Sequence, residues 1–169
     1  MQIIKPNSDS QIEHHKVSVF LAGSIEMGSA PNWQLKVEEA LKDLPVTVYN
    51  PRRDDWDSTW KQGQWEEPFR SQVLWELSKL RKSDIIFMYL DPATKSPISL
   101  LELGIHNHSN IIVCCPEGFW RKGNVDIVCE VNDIPVASTL EGGIQMLQSN
   151  IRFHIDLLHR ASGIYNGEE

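Results

Sequence analysis

Residues Asp84 to Leu90 have the sequence DIIFMYL and are followed at once by Asp91 and Pro92. The run is short, apolar on both faces and rich in β-branched and aromatic residues, and a polar turn ends it. This pattern is typical of a strand that is buried on both sides, as in a parallel sheet covered by helices. We expect the rest of the domain to pack around this strand.

Four further runs of the same kind occur in the sequence, at 17–22, 46–49, 111–115 and 134–137. Between and after them, apolar residues recur every three or four positions, as they do in helices, at 31–43, 65–82, 97–105, 124–131 and 140–158. This alternation predicts an α/β protein with a flavodoxin-like, doubly wound parallel sheet of five strands and helices on both faces. In such a sheet, ligands bind at the carboxyl ends of the strands.

The chain of 169 residues has the length of one domain. We expect residues 16–160 to form that domain. Residues 1–15 are polar and irregular in pattern and predict a flexible N-terminal arm, while residues 161–169 predict a frayed C-terminal tail.

Composition excludes several classes of function. A formal net charge of −7 disfavours binding to nucleic acid or to anionic lipid. Neither a signal peptide nor an apolar run of bilayer length occurs, so we expect a soluble, cytoplasmic protein with no membrane attachment. The three cysteines, Cys114, Cys115 and Cys129, do not match the spacing of a zinc site. No metal and no cofactor are therefore expected.

Two glutamates stand in apolar helical stretches. Glu102 lies near the start of the 97–105 helix, and Glu76 lies beside the buried face of the 65–82 helix. A carboxylate in such surroundings is poorly solvated and needs a partner or a chemical role. Two of them suit glycosyl chemistry, in which one attacks or stabilises an anomeric carbon while the other orients the substrate. The alternative is structural: a first-turn glutamate favoured by the helix dipole and a salt-bridged glutamate on a helix surface.

The loop after the 46–49 strand carries charged and aromatic side chains. Its run Arg52 to Asp57, RRDDWD, mixes donors and acceptors with a tryptophan, which suits a flat, hydrogen-bonding ligand such as a nucleobase. The candidate binding residues in this run are Arg53, Asp54, Asp55 and Trp56. Gly23 and Ser24, after the first predicted strand, are similar to part of a phosphate-cradling turn.

Five segments, in this order along the chain, resemble the nucleoside 2-deoxyribosyltransferase-like family. They are Phe20 to Ile25 (FLAGSI), Asn50 to Trp56 (NPRRDDW), Trp75-Glu76 with Ser83 to Ile86, Glu102 to Gly104 (ELG) and Gly123 to Val125 (GNV). The resemblance extends over residues 17–150.

The resemblance implies a nucleoside 2-deoxyribosyltransferase that acts on nucleosides and free nucleobases. Glu102 would attack the anomeric carbon and form a covalent glycosyl-enzyme, which a second base would then resolve. Glu76 would help to position the substrate, and Phe20 and Trp56 would pack against its sugar or base. Asn124 would reach the site of a neighbouring subunit, which implies a homo-oligomer with composite sites. Glu102 must be ionised for the attack, so a strongly raised pKa would count against this role.

Ser96 departs from the family pattern. The transferases commonly carry an aspartate six residues before the nucleophile, suited to protonating the leaving base, and Asp91, Asp54 or Asp55 would have to replace it here. A serine at this position resembles the related branch that hydrolyses 2-deoxynucleoside 5-monophosphates, and Ser24 resembles the phosphate contact of that branch. An N-glycosidase that uses the same glutamate is therefore the alternative activity.

Other classes of protein share this sheet order. A receiver-like signalling domain would use Asp91 as its phosphate acceptor, but residues 134–140 lack the lysine that it needs after the fifth strand. A flavin-binding flavodoxin needs a Ser/Thr-rich phosphate loop, which residues 23–30 do not provide. A nicotinamide-dinucleotide hydrolase would also use a single glutamate, and the sequence leaves that alternative open.

Overall fold

Strands and helices alternate along the computed structural model, which describes residues 1–6, 17–25, 30–53, 55, 57 and 59–161. The strands within these ranges are β1 (Gln2–Ile4), β2 (Val17–Gly23), β3 (Val46–Tyr49), β4 (Ile85–Tyr89), β5 (Ile111–Cys114) and β6 (Val136–Ala137). The helices are α1 (Trp33–Leu41), α2 (Phe69–Lys82), α3 (Pro97–Ile105), α4 (Lys122–Val131) and α5 (Leu140–Ala161). The predicted α/β fold is confirmed.

All the strands run parallel, in the order β1-β3-β2-β4-β5-β6. Without β1, this is the flavodoxin-like order: the chain passes from β2 to β3 on one side and then crosses back to β4 on the other. The strand order therefore reverses at the β2–β4 pair. At such a switch point the loops on the two sides diverge, and the gap between them is where ligands bind.

In the part of the chain that the structure describes, the sheet has six strands, so the predicted count of five was wrong by one. The additional strand is β1, which pairs along the outer edge of β3 with Gln2 opposite Thr47. The sequence predicts an irregular arm over residues 1–15, because three residues are too few to show a strand pattern and this strand forms only where an edge is available. Residues 7–15 of that arm and 162–169 of the predicted tail lie outside the described residues.

Two apolar layers form the core, one on each face of the sheet. Val19 and Leu21 of β2 pack in the layer covered by α1 and α5. Phe20 and Ala22 of the same strand pack in the opposite layer, which α2, α3 and α4 cover. Strand β4 alternates between the two layers in the same way. Burial of both faces of these central strands explains the unbroken apolar runs from which the fold is predicted. Within the described ranges, no helix is both long enough and apolar enough to cross a bilayer.

Candidate active site

A cavity of about 740 Å³ opens at the carboxyl ends of β2 and β3. Its walls are the end of β2, the loop after β3 and the facing sides of α2 and α3, so it lies beside the switch point. This volume is in the range of small-molecule sites. Polar and charged side chains in its wall include Arg52, Arg53, Arg70, Gln72, Glu76, Ser96, Ser99 and Glu102.

The two glutamates reach this cavity from different helices. Glu76 lies in the middle of α2 and is half-buried, whereas only 9% of Glu102 on α3 is exposed. Helix α3 begins abruptly, because Ser96 has a left-handed backbone (φ 45°, ψ 51°) and Pro97 holds the φ angle of the first helical residue. This sharp entry places Glu102 less than two turns after the helix start, close to the end of β4.

The charge of Glu76 affects the protonation of Glu102. Burial, and secondly the charge of Glu76, raise the pKa of Glu102 to about 8. Burial also raises the pKa of Glu76, and a hydrogen bond from Gln72 opposes that increase. At pH 7, Glu102 therefore holds a proton. This finding counts against a nucleophile that is ionised at rest, so a nucleophilic Glu102 must first give up that proton.

Three hydroxyl groups are linked at the switch point. The Oγ atom of Ser24 lies 2.7 Å from Oγ1 of Thr94 and 2.6 Å from Oγ of Ser96, and Thr94 and Ser96 are 2.8 Å apart. Ser24 Oγ also accepts a hydrogen bond from the backbone N–H of Asp91, and the residue is buried. The Ser24 hydroxyl is thus engaged within the protein, whereas Ser96 lines the cavity.

Gly23 allows β2 and β4 to meet at the cavity. Its φ is +129°, a value that residues with a side chain rarely adopt, and an added Cβ would lie 2.1 Å from the carbonyl oxygen of Tyr89. The next residue donates its N–H to that same oxygen. Any residue other than glycine would therefore push the two central strands apart at the switch point.

Aromatic rings support two of the arginines in the cavity wall. Arg53 donates two hydrogen bonds to the Asp55 carboxylate, at 2.8 and 2.6 Å, and its guanidinium lies 4.9 Å from the centre of the Trp60 ring. The Asp55 pKa is lowered by this pairing. Arg70 stacks on Trp65 at 4.7 Å. The loop after β3 and the first turn of α2 thus each present an arginine that an aromatic ring holds in place.

The structure brings six of the predicted site residues together in the cavity: Phe20, Gly23, Arg53, Glu76, Ser96 and Glu102. Ser24 contacts this group through the hydroxyl cluster, and Asp55 contacts it through Arg53. Asn124 is exposed on α4 and is not part of the cavity wall. Asp54 and Trp56 lie outside the described residues.

Asp91 does not line the cavity, although the sequence predicts a substrate contact there. Its carboxylate turns back and accepts hydrogen bonds from the Ala93 N–H, at 2.8 Å, and from the Tyr89 hydroxyl. Such a short-range turn is a common use of aspartate after a strand. Asp91 therefore shapes the loop that leads to α3 and does not present a free acid to a ligand.

Gln72 and Arg70 line the cavity but are missing from the sequence-based candidates. Gln72 lies one helical turn before Glu76, so its position on the same face could have been inferred from the spacing. The position of Arg70 in the cavity wall could not be inferred from spacing, because the orientation of its side chain depends on stacking against Trp65 of the preceding loop. No group of three or more histidine, cysteine, aspartate or glutamate side chains in the described part of the chain could hold a metal ion.

Comparisons with known proteins bear on the fold and on the family. The crystal structure of a conserved protein from Enterococcus faecalis V583 has a similar fold, with a TM-score of 0.58 and 12% identity, over 79% of this chain and 98% of that chain. A likeness at this identity shows the fold alone. No curated protein matches the sequence. The model of the family described as "Nucleoside 2-deoxyribosyltransferase like" matches residues 16–119, which include both glutamates. The chain therefore belongs to the nucleoside 2-deoxyribosyltransferase-like family.

Proposed function

We propose that the protein is a cytoplasmic nucleoside 2-deoxyribosyltransferase of nucleotide salvage, which moves 2-deoxyribose from one nucleobase to another. The observation that carries this proposal is the placement of Glu76 and Glu102, which face one cavity at the switch point and interact electrostatically. Paired carboxylates with different proton affinities are typical of enzymes that cleave glycosidic bonds. Membership of the family supports the same chemistry.

In the proposed mechanism, Glu102 first passes its proton to Glu76. The Glu102 carboxylate attacks the anomeric carbon, the bond from that carbon to the base breaks, and the base leaves with the electron pair and takes the proton from Glu76. A second base then attacks the same carbon and gives up its proton to Glu76, and the ester to Glu102 breaks. Two inversions restore the original β configuration. This assignment supplies the leaving-group acid that Ser96, whose hydroxyl is not acidic at neutral pH, does not provide.

The mechanism predicts a bell-shaped dependence of kcat/KM on pH. One proton must reside on the glutamate pair, so activity should fall above pH 8, where Glu102 loses that proton. Activity should also fall in acid, where Glu76 is protonated as well and the pair holds two protons. The midpoint of this acid limb should lie above 4.5, the ordinary pKa of a glutamate, because burial raises the pKa of Glu76. Steady-state kinetics between pH 5 and pH 10 test this. A rate that continues to rise above pH 9 would rule out the shared proton.

Hydrolysis of 2-deoxynucleoside 5-monophosphates is the second candidate activity. Three arginines, Arg52, Arg53 and Arg70, line the cavity, and guanidinium groups bind phosphate well. Within the described residues, no carboxylate lies at ion-pair distance from Arg70. The Arg70 guanidinium could therefore bind a phosphate group on the substrate.

Two incubations followed by chromatography separate these activities. Formation of 2-deoxyadenosine from 2-deoxyinosine and free adenine would support the transferase. Release of free base only from a 2-deoxynucleoside 5-monophosphate would support the hydrolase. If neither product forms across a panel of purine and pyrimidine substrates, the glycosyl proposal is wrong.

We also propose that a second copy of the chain completes each site. Asn124 is exposed on α4, and both α3 and α4 carry exposed apolar side chains. They are Ile98, Leu101 and Ile105 on α3, which also line the cavity, and Ile127 and Val131 on α4, of which Val131 is 76% exposed. Exposed apolar patches of this kind mark interfaces, and a symmetric pairing would carry Asn124 toward the cavity of the partner.

Mixing two inactive variants tests for composite sites. Glu102→Gln and Asn124→Ala should each have low kcat/KM alone. A mixed dimer contains one site with both wild-type residues, so random mixing should restore about a quarter of the wild-type sites. The assay uses refolded mixtures at low substrate concentration, with mixtures of two Glu102→Gln preparations as control. If mixing restores nothing above the sum of the single variants, Asn124 does not act across an interface.

A further inference from the structure

Gln72 occupies a defined place between Glu76 and the loop after β3. Its Nε2 atom donates hydrogen bonds to the Pro51 carbonyl oxygen, at 3.0 Å, and to Oε1 of Glu76, at 2.7 Å. Both amide hydrogens are therefore used. If the Gln72 amide were turned by 180°, its oxygen would face two other acceptors, the Pro51 carbonyl oxygen and the Glu76 carboxylate. These two partners therefore determine the orientation of the amide.

This arrangement is unfavourable for the remaining atom of the amide. Gln72 is 5% exposed, and its Oε1 atom is buried and has no hydrogen-bond partner in the described part of the chain. A methionine or leucine of similar volume would fill the same space without a buried, unpaired oxygen. Packing alone does not explain a glutamine here, whereas the two donated bonds do, since both end on groups of the cavity wall.

We propose that Gln72 is the positioning residue for Glu76 and holds its carboxylate against the loop after β3, as the anion that accepts the proton of Glu102. This inference rests on the proposed function and deepens it. The other charged groups that line the cavity are Glu102 on α3, Arg70 on α2, and Arg52 and Arg53 of the loop. Burial raises the pKa of Glu76, and the hydrogen bond from Gln72 partly offsets that increase.

Replacing Gln72 by methionine tests this role without any need for turnover. The side-chain carboxyl carbons of ¹³C-labelled glutamates are titrated by NMR, with Glu76→Gln and Glu102→Gln used to assign the two signals. Loss of a charge-assisted hydrogen bond should raise the Glu76 midpoint by about one pH unit. The matched control is Gln148→Met on α5, which also loses one amide hydrogen bond, to the Ala40 carbonyl, but lies outside the cavity wall. It should leave both midpoints unchanged.

A wild-type Glu76 midpoint in folded Gln72→Met would overturn the proposal. If circular dichroism shows that the methionine variant does not fold, Gln72→Leu takes its place under the same criterion. In an active enzyme, the acid limb of the kcat/KM profile should move up by the same amount, which a merely structural role would not produce. A shifted Glu76 midpoint in a protein without glycosyl activity would support the positioning role and contradict the proposed function.

Discussion

Replacement of Glu102 by glutamine is expected to abolish turnover and, at the same time, to stabilise the protein at pH 8. Glutamine keeps the size of the side chain but can neither attack the anomeric carbon nor carry the shared proton. Loss of a covalent nucleophile lowers kcat by at least roughly 10³-fold. We expect that loss in both the transfer and the hydrolysis assay, because both activities use this carboxylate.

The gain in stability follows from the raised pKa of Glu102. The pKa of this carboxyl is about 8 in the fold, against 4.5 for an ordinary glutamate, so the folded state prefers the protonated form. The favourable term is fully present below pH 4.5 and is lost as the pH rises through 8. Glutamine mimics the protonated form at every pH. The free energy of unfolding of the variant should therefore exceed that of the wild type by on the order of 4 kcal/mol at pH 8, and by almost nothing near pH 4.5.

Urea denaturation at both pH values, together with the activity assays, measures this. Glu130→Gln, which neutralises an exposed carboxylate on α4, is the matched control and should change neither property. Near-wild-type turnover by Glu102→Gln would refute the catalytic role. Loss of turnover without any stabilisation at pH 8 would show that Glu102 is already ionised in the folded protein.

Replacement of Gly23 by alanine should destabilise the fold by about 3 kcal/mol or more. The new Cβ would lie 2.1 Å from the Tyr89 carbonyl oxygen at a φ of +129°, so both sterics and backbone strain oppose it. Relief requires the ends of β2 and β4 to separate, and this would also break the hydrogen bond from the Ser24 N–H to Tyr89. We expect a much lower urea midpoint and loss of activity in whatever fraction remains folded.

Gly104→Ala on α3 is the matched control for that experiment. An added Cβ at this position meets no atom within 4 Å, and alanine is the better helix former by about 1 kcal/mol. This variant should be as stable as the wild type or slightly more so. An unchanged denaturation midpoint for Gly23→Ala would mean that β2 and β4 do not meet closely at the Tyr89 carbonyl oxygen.

Much of the fold could be predicted because its strands are buried on both faces. The run Asp84 to Leu90 predicts β4 to within one residue at each end, since an unbroken apolar run has few other uses in a domain of this size. Helix α2 starts at Phe69 and not at the predicted residue 65. Trp65 is 75% exposed and stacks on Arg70, so an aromatic that seems to extend the helical pattern belongs to the loop instead.

The candidate site could be predicted only in part. The sequence predicts poorly solvated carboxylates at Glu76 and Glu102, because their apolar neighbours are visible in it. The effect of the Glu76 charge on Glu102 depends on α2 and α3 facing one cavity, which spacing along the chain does not determine. The same limit applies to Asp91. Its place at a strand end is predictable, but the turn toward Ala93 that removes it from the cavity depends on local backbone geometry.

Mass spectrometry of the quenched enzyme shows whether Glu102 forms a covalent bond to the sugar. The protein is mixed with 2-deoxyinosine without an acceptor base, and the reaction is stopped in acid and the protein digested. We expect a mass increase of one 2-deoxyribosyl group on the peptide that contains Glu102, absent from Glu102→Gln and lost when adenine is added before the quench. Active enzyme that carries the group on another residue, or that turns over under these conditions with no adduct, would contradict this expectation.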